Sequence, residues 1–169
     1  MAHIDTLEEK KARDIERLIG ELGDCRPEVR QKARVMLVEL GPASVAALSD
    51  ALSSPHPQVR WEAAKTLTEL ADPAATAMLI RTLRDEDSGI RWVAAEALIA
   101  IGKPVIRPLL NALAHEHGSP EFREAVHHVL HDLRNSRNRR VIEPVLEALS
   151  GPAPAVSAPV AAMKALRKI

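Results

Sequence analysis

The chain has 169 residues, 23 Lys and Arg against 23 Asp and Glu, and 46% hydrophobic residues, yet only one Phe, two Trp and no Tyr. Zero formal charge excludes a uniformly basic nucleic-acid-binding surface and a dominant acidic tail, and a single cysteine, Cys25, excludes a disulfide framework and a four-cysteine zinc site. No apolar signal-peptide core is visible at the N-terminus and no apolar run reaches ~18 residues, so a soluble cytoplasmic protein is expected.

A first helix is predicted over 6–22. Its Leu18, Ile19 and Leu22 match the second helix of the units that follow, because Leu22 precedes Leu52 by one repeat interval. Four units of one pattern then run over 27–53, 57–84, 88–115 and 120–150. Each opens with an apolar residue followed by arginine, at nearly constant intervals: Val29-Arg30, Val59-Arg60, Ile90-Arg91 and Phe122-Arg123. Eight positions on stand Leu37, Leu67, Leu98 and Leu130, and three further on Leu40, Leu70, Ile101 and Leu133. That spacing is one stripe of an α-helix and not the alternation of a strand. Gly41-Pro42, Asp72-Pro73 and Gly102-Lys103-Pro104 end the first helix of a unit and start its second. The second helices run through Leu48–Leu52, Leu79–Leu83, Leu109–Leu113 and Val145–Leu149. A last helix is predicted over 158–168, with Val156, Val160, Met163 and Leu166 sealing the far end. The expectation is one all-α domain over 1–169, an α-solenoid of about ten helices with 6–22 and 158–168 as end caps.

Small residues at the centres of the first helices account for the aromatic deficit. Ala33, Ala63, Ala64, Ala94, Ala95 and Ala125 let backbones approach closely, and two-helix layers bury their apolar faces only by stacking. The recurrent arginine reads as a ladder between layers, paired with loop acids such as Glu28, Asp87 or Glu121, or else as an anion-binding stripe.

The segments VRWEAAKTLTELADPAATAMLIRTL and IRWVAAEALIAIGKPVIRPLLNAL resemble HEAT repeats, and among them the short repeats of phycobilisome-lyase type. The resemblance covers about Pro27 to Leu149. It implies antiparallel helix pairs in a right-handed superhelix, first helices on the convex side and second helices on the concave side. Proteins of this class include scaffolds, regulatory modules and bilin lyase subunits, so the fold alone does not choose among them.

A binding role is expected over catalysis. Aligned on Leu52, Leu83, Leu113 and Leu149, the second helices place Asp50, Arg81, Asn111 and Glu147 at one register and Ala46, Ala77, Arg107 and Glu143 one helical turn earlier, on the same face. Asp50, Arg81, Arg107, Asn111, Glu143 and Glu147 are the candidate partner-binding residues. Their mixed signs suit a protein or peptide rather than a polyanion. Trp61 and Trp92, at equivalent positions of adjacent units, read either as surface anchors or as rings lying flat over the next unit.

Five of the seven histidines gather in one stretch, His115, His117, His127, His128 and His131, and His127 and His131 share a helix face. HEHG at His115 lacks the HExxH spacing, and the His-Glu pairs of the HEAT-type deoxyhypusine hydroxylases, which resemble this fold, are absent. No metal and no cofactor is expected. Cys25 has no partner for nucleophilic chemistry, though Arg26 beside it is placed to lower its pKa modestly. No glycine-rich phosphate loop and no nucleophile elbow occur. Two alternatives to a protein-binding module remain. By resemblance, one is an accessory bilin lyase-like subunit. The other is a nucleic-acid-binding array using the basic segment RNSRNRR, with Arg134, Arg137, Arg139 and Arg140.

Overall fold

Leucine and alanine at helical spacing, broken at regular intervals by Gly and Pro, make the chain all-α. The computed structural model describes residues 2–116 and 118–169, with side chains from Leu7 onward, and among these it holds ten α-helices and no strand. After α1 (Ala2–Glu21) come four pairs: α2 (Pro27–Glu39) with α3 (Val45–Ala51), α4 (Pro57–Leu70) with α5 (Thr76–Thr82), α6 (Ser88–Ile101) with α7 (Ile106–Ala114), and α8 (Pro120–Leu133) with α9 (Arg139–Ser150). α10 (Pro154–Leu166) closes the series. A short 3-10 turn precedes each of α3, α5 and α7.

The first helices stack in one row, α2 on α4, α4 on α6 and α6 on α8, while α1, α3, α5 and α7 form the second row. α1 thus takes the place its leucine pattern implies. Leu37, Leu67, Leu98 and Leu130 are fully buried, as are Ala33, Ala63, Ala64 and Ala94. Each buried leucine contributes about 1.5–3 kcal/mol over an exposed one.

The far end departs from expectation. α10 packs against both α7 and α9, which scarcely touch one another, so α10 and not α9 extends the second row. Because it lies in close contact with two helices, α10 turns its small residues inward: Ala158, Ala162 and Ala165 are buried. Val156 (71% exposed), Val160 and Met163 face outward, and of the four predicted sealing residues only Leu166 packs on the core.

The loops between units repeat a turn that residue identity hides. Asp24, Ser54, Asp85 and Glu116 each accept, through a side-chain oxygen, the backbone N–H two positions on, at 2.9, 3.2, 3.0 and 3.0 Å. The unit arginine six positions on then donates to the carbonyl of the same loop residue: Arg30 to Asp24 at 2.9 Å, Arg60 to Ser54 at 3.0 Å and Arg91 to Asp85 at 2.8 Å. For Arg123 the residue at that distance is His117, which lies outside the described residues.

The arginine ladder therefore exists, but its partners differ from the predicted Glu28, Asp87 and Glu121. Asp87 caps the Gly89 and Ile90 amides, and Glu121 accepts from the Ser119 hydroxyl. The carboxylates come instead from the next unit or from the loops between units. Asp85 receives Arg60 in a fork of 2.7 and 3.0 Å, which raises the pKa of that guanidinium. Glu62 receives Arg30 Nε at 2.8 Å, Gln58 Nε2 at 3.0 Å and Arg34 Nη1. Glu116 receives Arg84 at 2.5 Å. Burial alone would raise the Glu116 carboxyl; the Ser119 amide, Arg84 and the Gly118 amide outweigh it and hold it below the usual range. Arg30 and Arg60 have N–H groups taken by carbonyls and carboxylates, and Arg91 donates to carbonyls, so these three rungs are not an open anion stripe.

Helix ends show one compromise. Gly41 and Gly102 follow α2 and α6 with φ of +61° and +82°. The equivalent residue after α4 is Ala71, left-handed at φ +48°, where a Cβ is strained. Ala71→Gly should raise stability by about 0.5–1 kcal/mol, or a melting temperature about 2–3 °C higher by differential scanning calorimetry. An unchanged or lower value would mean that the unfolded chain's extra entropy cancels the relief.

Candidate partner-binding faces

Short second helices expose one narrow strip each, and the predicted register identifies it. Asp50 on α3, Arg81 on α5, and Arg107 and Asn111 on α7 are all exposed, as are Ala46 and Ala77 at the intervening positions. α3 contacts α5 and α5 contacts α7, so these residues form one continuous strip along three helices. Arg81 lies 3.8 Å from the Met78 sulfur. Arg107 donates to the Ile169 carbonyl oxygen at 2.6 Å, which ties the segment after α10 to α7.

Glu143 and Glu147 sit apart from this strip, because α10 stands between α7 and α9. Glu143 is half-buried and accepts from Arg134 at 3.1 and 3.2 Å, with Arg139 at 3.4 Å. It neutralises part of the basic segment, whose turn is further fixed by Asn138 donating to the Leu133 carbonyl at 2.9 Å. Arg137, Arg140 and Glu147 are exposed.

On the other row the tryptophans diverge. Trp61 is half-buried, with Lys65 Nζ 4.7 Å from the ring centroid. Trp92 remains 58% exposed while stacking on His128 of the next unit, ring centroids 4.6 Å apart.

The histidines point in different directions. His115 Nδ1 meets the Asn111 carbonyl at 2.8 Å, and His128 turns to Glu96 at 3.0 Å. His127 lies 3.2 Å from the Ser150 hydroxyl and stacks on His131 at 6.2 Å. Burial, then the neighbouring His131 and His128, lowers the His127 pKa. His117 lies outside the described residues, among which no group of three His, Cys, Asp or Glu is placed to hold a metal. Arg26 is committed to Asp24, at 2.9 and 3.0 Å, and holds that carboxyl well below the usual carboxylate range. The exposed Cys25 thiol lies 3.8 Å from the same Asp24 carboxylate. No helix among the described residues is long and apolar enough to cross a membrane.

Comparison with known proteins accords with this geometry. The HEAT-repeat family matches residues 15–99 and 43–131, more than half of the chain. The chain belongs to the HEAT-repeat family. The array is similar in structure to a chain in the complex of CpcE and CpcF of phycocyanin lyase from Nostoc sp. PCC7120. The TM-score is 0.60 with 22% identity, over 91% of this HEAT chain and 98% of that one. At that identity the likeness is one of fold. No curated protein matches the chain in sequence.

The loop carboxylates Asp85 and Glu116 and the buried Glu62 are not among the residues that the sequence singles out. The available signal is an acid recurring at the repeat interval, Asp24, Asp85 and Glu116, interrupted by Ser54. Glu62 has no such signal, because its equivalents are Lys32, Val93 and Ala125.

Proposed function

We propose that this HEAT array is a non-enzymatic protein-binding module of the cytoplasm, engaging a protein or peptide through the second-row face. The observation that carries the reading is the strip Asp50, Arg81, Arg107 and Asn111, exposed at equivalent positions on three adjacent helices whose other faces are core. Extended repeat arrays bind along such a face, and mixed charge suits a polypeptide. Glu147 extends the surface beyond α10, and Glu143 contributes to it only by holding the basic turn. The single exposed thiol, Cys25, suits a reducing compartment.

Charge reversal at Arg81 and Arg107 together should weaken partner capture from native lysate at least about tenfold, as loss of two interfacial charges entails. Helicity by circular dichroism should be unchanged, because both side chains are exposed. Undiminished capture by the double variant would remove this face from the reading.

A second reading rests on the structural neighbour, which is part of a phycocyanin lyase complex of two proteins. In it the array is an accessory subunit acting on a tetrapyrrole-bearing protein. A visible absorption band carried by the purified chain after incubation with a bilin would favour that reading over simple partner binding.

A further inference from the structure

The aromatic rings of the first row differ in what covers them. Trp61 carries Lys65, one helical turn on, over its ring, and Phe122 carries the Arg84 guanidinium 3.6 Å from its centroid. Trp92 has Glu96 at the position of Lys65. That carboxylate recruits His128 across the α6–α8 interface, Nε2 to Oε1 at 3.0 Å, and the imidazole stacks on the indole with 20° between the planes. Glu96, His128 and Trp92 thus form a braced row that fixes the orientation of the indole. The residue is nonetheless 58% exposed, so one face of the ring is braced and the rest is open.

A cleft of about 250 Å³ opens beside it between α6 and α8, lined by Ser88, Arg91, Trp92, Glu121, Glu124 and His128. Arg91 lines the cleft while its Nη1 donates to the Asp85 and Glu86 carbonyls of the preceding loop at 2.8 and 3.2 Å, which commits that end of the guanidinium within the chain. Glu121 and Glu124 are exposed, and Glu121 accepts only from the neighbouring Ser119 hydroxyl among the described residues. An oriented aromatic face beside two carboxylates is attractive to a cation and hostile to an anion.

We propose that this cleft binds an arginine side chain of a partner polypeptide, on the row opposite to the strip of the second helices and independently of it. The guanidinium plane lies on the open indole face and its N–H groups donate to Glu121 and Glu124. Arginine fits better than lysine because its planar fork both stacks and pairs with carboxylates. The other two rings of this row already show the same chemistry met from within the chain.

The test uses the full chain with Trp61→Phe, so that Trp92 alone emits. Blocked Gly-Arg-Gly peptide is titrated against fluorescence, beside the same peptide with neutral citrulline for arginine. The arginine peptide should give a saturable change in the Trp92 emission below ~50 mM, the range open to one side chain, and bind at least about fivefold tighter than the citrulline peptide. Adding E121Q and E124Q should weaken the arginine peptide about fivefold or more, while the thermal melt stays unchanged. Equal titration by the two peptides, an unaffected E121Q/E124Q variant, or no saturable response would each overturn the proposal.

Discussion

Replacing Glu62 with alanine should lower the free energy of unfolding by about 3–5 kcal/mol, the range for breaking a buried ion pair from one side. Glu62 is 2% exposed and neutralises two guanidinium groups of α2. Without it, Arg34 keeps a largely buried charge with no carboxylate, and Arg30 keeps only the Asp24 and Cys25 carbonyls, at 2.9 and 3.2 Å. Urea unfolding followed by circular dichroism measures the loss. The companion variant Arg34→Leu with Glu62→Leu should recover most of it, because apolar side chains of similar volume need no desolvation. A loss below about 1 kcal/mol for Glu62→Ala would mean that water reaches this pair and screens it.

The second large effect is expected at Ala64. Glu62 meets Arg34 across the α2–α4 interface, and the same register sets Ala64 opposite Val93 between α4 and α6, and Ala95 opposite Ala125 between α6 and α8. Ala64 is fully buried, and α4 and α6 make the most extensive contact of any two first helices. Ala64→Leu inserts three carbons where no space exists and should cost about 3 kcal/mol, the upper end for overpacking. In a stacked array the damage falls on one interface, so coupling between neighbours weakens as well. Unfolding of the variant should broaden or divide into two transitions by calorimetry. A single transition as sharp as that of the parent chain, at nearly the same temperature, would show that the two helices part easily.

How far the sequence reached can be judged residue by residue. The stripe of Leu37, Leu67, Leu98 and Leu130 located every first helix and its buried face, because periodicity and propensity agree there. The strip Asp50, Arg81, Arg107 and Asn111 was legible for the same reason: a register that alternates with buried leucine must face outward. The ladder was visible as arginines but not as pairs. A guanidinium on a long stem reaches loops on either side, and sequence distance does not say which carboxylate it meets. Trp92 illustrates the same limit. Its equivalence to Trp61 is written in the chain, while its exposure depends on Glu96 and on a histidine of the following unit.

The sequence by itself determined the repeat and its interval, the helix pairs and the buried leucine and alanine face. These follow from local periodicity repeated many times, so each unit confirms the next. Tertiary structure alone decided the far end and the polar network. α10 enters the second row on its alanine face because only small side chains pass between α7 and α9. That choice left Val156, Val160 and Met163 outside and separated Glu143 and Glu147 from the strip whose register they share. The aromatic poverty of the chain was set by how closely its helices stack, and the one well-exposed tryptophan stands where that stacking braces it but does not cover it.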